Sequence, residues 1–334
     1  MQRRGFVARV LAGGVIWRSE AEGVGQQHAV GGKTPDLARL PEIVIERPLT
    51  GRPHSGKVLA AIQPHADDIP FFAAGTVAKL IHEGYTGHLI RTSNDEKAGA
   101  GTIGETVLNN ERDNDAVAKA LGLIKAYNLE YRNHQMDGIS REEMRERLIF
   151  LIRLLKIDTV ICYDPWGAYE ENPDHYVTAQ VVESACWMAG MDKDYPEHLA
   201  AGLEPHSVRE KYYFARGPQL VNRVVDISPW IDTKVEANLA NKTQGAAGEN
   251  GARLRARLAA QKLRLPTLGD DDEAANRGYI KHFVLDYDSK YLRGVPSDRE
   301  VGRPYGLEWA EAFHYIGPVE SMLDRYIAEH AVPL

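Results

Sequence analysis

Two short stretches of this chain concentrate side chains that could hold a metal ion and move a proton. The first is Gln63-Pro64-His65-Ala66-Asp67-Asp68-Ile69-Pro70. One imidazole and two adjacent carboxylates fall within four positions, and successive side chains on a turn point in different directions. One carboxylate can therefore join His65 on a metal while its neighbour faces the water that the metal activates. The same residues admit a plain structural reading, in which Asp67 and Asp68 favour the positive end of a following helix. The second stretch runs from Tyr163 through Tyr169, Glu170 and Glu171 to Asn172-Pro173-Asp174-His175. Pro173 suits the first helical position, which makes Asn172 the expected N-cap and puts His175 in the first turn. Taken singly, a histidine there is more often a hydrogen-bonded structural residue than a ligand.

The elements that must position these residues can be read from periodicity. The short apolar run at residues 57–62 predicts a buried strand, and 88–92, 126–131 and 158–163 are further strand candidates. Between them, residues 71–83, 105–121 and 141–156 predict helices, the last with Met144, Leu148, Leu151, Ile152 and Leu155 on one face. A further helix is expected over 173–188. Strands alternating with helices predict an α/β fold with a mainly parallel sheet, helices on both faces and right-handed crossovers. Ligands in such folds bind beyond the carboxyl ends of the strands, and both stretches lie just after predicted strands. Later, 208–215 and 221–227 read as strands and 231–244 as a helix. Residues 245–300 read as an insertion with a basic helix at 252–264 and a solvated acidic run at Gly269-Asp-Asp-Asp-Glu273. Residues 1–52 read as tail and linker, and 53–334 as the domain.

The ordered pair of stretches resembles the LmbE-like, or PIG-L, zinc deacetylases. Their usual Pro-His-Pro-Asp-Asp-Glu stands here as Pro64-His65-Ala66-Asp67-Asp68-Ile69, and their usual His-Pro-Asp-His as Asn172-Pro173-Asp174-His175. Weaker elements are Arg112-Asp113-Asn114-Asp115 with Ala120-Leu121-Gly122, the run from Lys234 to Gln244, and Ala310-Glu311-Ala312-Phe313. The resemblance spans about 55–316, with 245–300 unmatched. It implies a Rossmann-like three-layer fold and a Zn2+ site built from His65, Asp68 and His175, although a His/Asp set also accepts Fe2+ or other divalent ions. It further implies Asp67 as general base, Tyr169 as an oxyanion donor, Asp174 as an orienting group and Arg112 as a substrate contact. The implied reaction removes an N-acyl group, usually acetyl, from an amino-sugar-like small molecule. Two positions depart from the pattern. Asn172 replaces a histidine and cannot act as a general acid, so Asp67 acting twice, or another acid, must protonate the leaving amine; His134, otherwise an exposed loop histidine or a substrate contact, is a conceivable stand-in. Ile69 replaces a glutamate that is expected to support the site rather than ligate. The rival expectation is a non-catalytic sugar-binding relative with a retained metal site.

Composition bounds the rest. The 334 residues carry a net charge of −7, with 43% hydrophobic and 26% charged residues, as in an ordinary globular chain. The charge argues against a general nucleic-acid partner. A nucleotide-binding turn would need glycines after the first strand, and Gln63 to Pro70 has none. No apolar run is long enough for an integral membrane segment. Cys162 and Cys186 are expected as buried free thiols. Arg3-Arg4 ahead of a short apolar stretch reads as a weak twin-arginine signal, leaning to export over the cytoplasm, with cleavage near residue 22. Association into a homo-oligomer stays open.

Overall fold

The computed structural model describes residues 42–244, 248–286, 295–319 and 321–333. The export motif lies outside them. Eight strands form one mixed sheet in the order β1-β7-β8-β6-β5-β2-β3-β4. They are β1 (Val44–Glu46), β2 (Val58–Gln63), β3 (Thr86–Ser93), β4 (Lys125–Tyr131), β5 (Thr159–Tyr163), β6 (Glu210–Phe214), β7 (Arg223–Asp226) and β8 (Ala310–Ile316). Only β8 runs against the rest, antiparallel to β6 and to β7. The mainly parallel α/β architecture expected from the sequence is thus what forms. Leu-Ala-Ala-Ile in β2 and Thr-Val-Ile-Cys-Tyr in β5 are buried on both faces, as central parallel strands covered by helices require.

The described helices are α1 (Asp68–Phe72), α2 (Ala74–His82), α3 (Ile103–Ala120), α4 (Arg141–Leu155), α5 (Pro173–Met188), α6 (Pro196–Ala200), α7 (Ile231–Ala240), α8 (Asn250–Ala260), α9 (Asp272–Tyr279), α10 (Asp298–Gly302) and α11 (Met322–His330). The single helix expected at 71–83 is two, because Ala73 leaves the helical region at φ −142°. The first turn of α2 is capped from a distance: the Glu311 carboxylate accepts from Gly75 N at 3.0 Å and Thr76 N at 2.8 Å. These are backbone donors with no partner inside the helix. Glu311 also accepts from the buried ammonium of Lys234 at 2.7 Å. Two weak sequence elements, at 234 and 311, are therefore one ion pair that ties α7 and β8 to the start of α2.

Two further differences stand out. Residues 44–46, inside the stretch read as linker, form a strand, with Val44 opposite Arg223. The run is too short to show a strand period. Within 245–300, α8 and α9 pack together, and Asp271 of the acidic run caps α9 by accepting from Ala274 N at 2.7 Å. Cys162 and Cys186 are free and buried.

Chain order fixes where the site must be. The path runs β2, β3, β4 in one direction, then returns to place β5 on the other side of β2. The crevice between the carboxyl ends of β2 and β5 is the switch point at which such sheets bind ligands.

Candidate metal centre

The loop after β2 is pinned by its own side chains. Gln63 Oε1 accepts from Ile69 N at 2.9 Å, Asp68 Oδ2 from His65 N at 2.9 Å, and Asp95 Oδ2 from Ala66 N at 3.1 Å. Asp95 is in turn held by Arg91 Nη1 at 3.1 Å. The loop after β5 ends in α5 as the sequence predicts: Asn172 is the N-cap, its Oδ1 accepting from Asp174 N at 3.0 Å, and Pro173 opens the helix.

These two loops bring His65, Asp68 and His175 together, all buried, with one ligand atom from each lying within 4.8 Å of the others. His65 Nδ1 is 3.0 Å from His175 Nε2, and the Asp68 oxygens are 3.5 Å and 3.6 Å from those nitrogens. The outward nitrogens face carboxylates: His65 Nε2 is 3.0 Å from Asp174 Oδ2, and His175 Nδ1 is 3.2 Å from Glu170 Oε2. A proton on each outward nitrogen leaves the inward lone pairs pointing at each other and at Asp68. Two lone pairs 3.0 Å apart repel unless positive charge sits between them. Neutral imidazoles oriented by carboxylates, plus one carboxylate oxygen, fit a divalent cation that keeps an open position. The His65 imidazole shows the same pull. Burial would lower it, yet its hydrogen bonds to Asp174 and Asp68 hold it well above its usual value.

The adjacent carboxyls are driven apart. Burial and then the Asp68 charge push Asp67 up to about 7, against the pull of His65. Asp68 would be raised by burial, but His175, His65 and the Tyr163 hydroxyl hold it down at about 2. Tyr163 OH donates to Asp68 Oδ1 at 2.7 Å. Asp67 sits at the N-cap of α1 yet makes no side-chain capping bond there. The purely structural reading of Asp67 thus loses its main support. Two neighbouring carboxyls with divergent acidities are the pattern of a ligand beside a base.

Other sequence candidates fall less neatly. Asn172 Nδ2 lies 3.4 Å from His175 Nε2, beside the ligand position. Asp174 is buried and accepts from Asn133 Nδ2 at 3.0 Å and His134 N at 2.7 Å as well as facing His65. His134 is exposed, with its ring centroid 6.2 Å from that of His65. Tyr169 is 77% exposed, which is not the setting of a buried oxyanion donor, and the tyrosine in contact with the cluster is Tyr163. Arg112 is exposed on α3, where Nη1 reaches Asn109 Oδ1 at 3.4 Å; Asp113 and Asn114 are the buried residues of that turn. Periodicity had not resolved which of these neighbours turns inward. Sequence reasoning also missed Glu170 and Arg216. Arg216 grips Glu170 through Nη2 at 2.6 Å and Nε at 3.2 Å. Glu170, five residues before His175, could have been noticed; Arg216 carried no local signal.

The α/β sheet thus carries at its switch point a buried His/Asp cluster that could hold a metal ion. Residues 60–186 match the model of the PIG-L family, described as GlcNAc-PI de-N-acetylase, and over that stretch the chain is similar to this PIG-L/LmbE-like family. It is 28% identical over 192 residues to the diacetylchitobiose deacetylase of Thermococcus kodakarensis, covering 56% of this chain and 70% of that one. The fold is similar to that of the N,N'-diacetylchitobiose deacetylase from Pyrococcus horikoshii, with a TM-score of 0.60, 19% identity, and 80% and 88% of the two chains covered. It is also similar to the 4-carboxy-2-hydroxymuconate hydratase from Pseudomonas putida KT2440, with a TM-score of 0.53, 15% identity, and 79% and 98% covered. At these identities the two structures speak to the fold alone, which does not by itself fix the chemistry. No described helix is long and apolar enough to cross a membrane.

Proposed function

We propose that this protein is a zinc-dependent N-deacylase acting on an amino-sugar-like small molecule. The observation that carries the reading is the convergence of His65 Nδ1, His175 Nε2 and Asp68 beside an Asp67 carboxyl raised to about 7. Zinc, when bound by these three residues, supplies Lewis acidity that polarises a carbonyl and lowers the pKa of water to about 7. Asp67 then takes the proton of the attacking water, a role that suits a carboxyl titrating near neutrality. Once protonated, Asp67 hands that proton to the departing amine, which answers the replacement of histidine by Asn172. Asp174 and Glu170 hold the two imidazoles in the ligating tautomer. Asn172 caps α5 and brings its amide to the edge of the site. His134, at the mouth, is placed to meet substrate hydroxyls. The relative from Thermococcus kodakarensis supports the substrate class.

The rival, a sugar-binding protein without turnover, rests on Asn172 alone. Metal analysis of the purified protein, combined with acetate release from a panel of N-acetyl amino sugars, separates the two. Bound metal with amine released supports deacylation. Bound metal and no amine from any substrate overturns it.

A further inference from the structure

The metal centre separates two unlike flanks. On the side of β3 and β4, the loop ends carry Asn94, Glu96, Arg132 and His134, with Arg132 Nε bonded to Glu96 Oε1 at 3.0 Å. On the side of β6 there is an open recess of about 300 Å³, walled by Phe71, Phe72, Phe214, Val221, Leu285 and Val301. That size sits at the lower end of the range for ligand pockets, about 300–1,000 Å³. Phe71 and Phe72 are on α1, within a turn and a half of Asp67 and Asp68. Phe72 stacks on Phe214 at 5.3 Å and meets Tyr163 at 5.8 Å, and Tyr163 stacks on the ligand candidate His175 at 4.3 Å. Ala215 and Gly217 wall both this recess and a smaller hollow that His175 lines. The recess and the hollow beside His175 therefore share one wall. Of the recess's polar wall groups, Glu311 and Asp298 are each 2.7 Å from the Lys234 ammonium, while Gln219 Oε1 is buried without a hydrogen-bond partner.

We propose that this recess is an acyl subsite that takes an apolar chain longer than acetyl, while the hydroxyl-bearing amine lies over the β3–β4 flank. The proposal rests on the deacylase reading for its orientation, and an acetyl group alone would leave the aromatic recess unfilled. Burying only two methylenes would strengthen binding about tenfold.

The test uses the product acids, which are not turned over. Calorimetry on the metal-loaded protein should give octanoate at least about tenfold tighter binding than acetate. Val301→Trp, which fills the recess away from the metal ligands, should erase the difference. Val221→Phe serves the same purpose should the α10 substitution fail to fold. Equal affinity for the two acids, or a preference that survives filling, overturns the proposal. In parallel, kcat/KM for N-octanoyl-glucosamine should exceed that for N-acetyl-glucosamine in the wild type, and the order should reverse in the filled variants. Absence of amine release from both would strike the deacylase reading, while the acid-binding result still decides the subsite.

Discussion

His65 Nε2 lies 3.0 Å from Asp174 Oδ2, and that carboxylate oxygen also receives the Asn133 amide and the His134 backbone N–H. Asp174 therefore fixes the tautomer of His65 from behind, without occupying the cluster itself. Asp174→Asn should weaken zinc binding by about 10–100-fold, the usual cost of losing an orienting partner. Competition with a chromogenic chelator measures this directly. An unchanged affinity would remove Asp174 from the metal centre.

Asp67 and His65 should part company under mutation. His65→Ala should lose metal and activity together, because two remaining ligands bind poorly. Asp67→Asn keeps the shape of the side chain and should keep the metal, while losing about 10²–10⁴-fold in rate, mainly in kcat. Retention of more than about a tenth of wild-type turnover with metal fully bound, well above the general-base range, would end the base assignment. Asn172→His adds a further readout: a restored acid should raise the rate or shift the alkaline limb of the pH profile.

The buried Lys234–Glu311 pair predicts a stability effect remote from chemistry. Glu311→Ala leaves the buried Lys234 ammonium with Asp298 alone and strands two backbone donors of α2. The expected loss is about 3–5 kcal/mol, as for other buried pairs deprived of one partner. Replacing Lys234, Glu311 and Asp298 together with apolar residues should cost less than the single change. Urea unfolding midpoints decide, and a loss below about 1 kcal/mol from Glu311→Ala would contradict the role given to the pair.

Acid sensitivity should come partly from Glu210. Burial alone would raise its carboxyl, but hydrogen bonds from Tyr315, Tyr85 and Lys57 outweigh burial and hold it below the usual 4.5. A depressed folded value means that the unfolded chain binds the proton first as pH falls. The stabilisation is therefore complete above the unfolded value and drains away as pH drops through the folded one. Glu210→Gln should flatten the dependence of stability on pH between about 5 and 3. An unchanged slope in chemical unfolding across that window would refute it.

The parts legible in the sequence were those written locally. Proline at 173 with asparagine at 172 announced α5, which spans Pro173–Met188 as expected. Of the early strands, β2 and β5 announced themselves through short apolar runs. His65, Asp68 and His175 could be grouped because each follows a strand, yet the adjacency of β2 and β5 is a property of the whole sheet. Arg112 and Tyr169 show the limit of pattern matching: a motif gives the neighbourhood, while burial decides which side chain enters. Arg216, Tyr163 and Asp95 act through partners between 4 and 95 positions away, and no window of sequence displays such contacts.

The reversed strand β8 has a further consequence, for the order of assembly. Residues 310–316 lie between β6 and β7, and β7 in turn carries β1. Until they emerge from the ribosome, β2 to β6 can form a five-stranded sheet whose β6 edge stays unpaired, while β1 and β7 have no sheet to join. Such an edge is a template for wrong partners. A chain stopped at residue 309 should accordingly aggregate or be cut readily by protease after residue 214, whereas one extended through 316 should resist. Equal resistance of the two would show that β8 is not what closes the sheet.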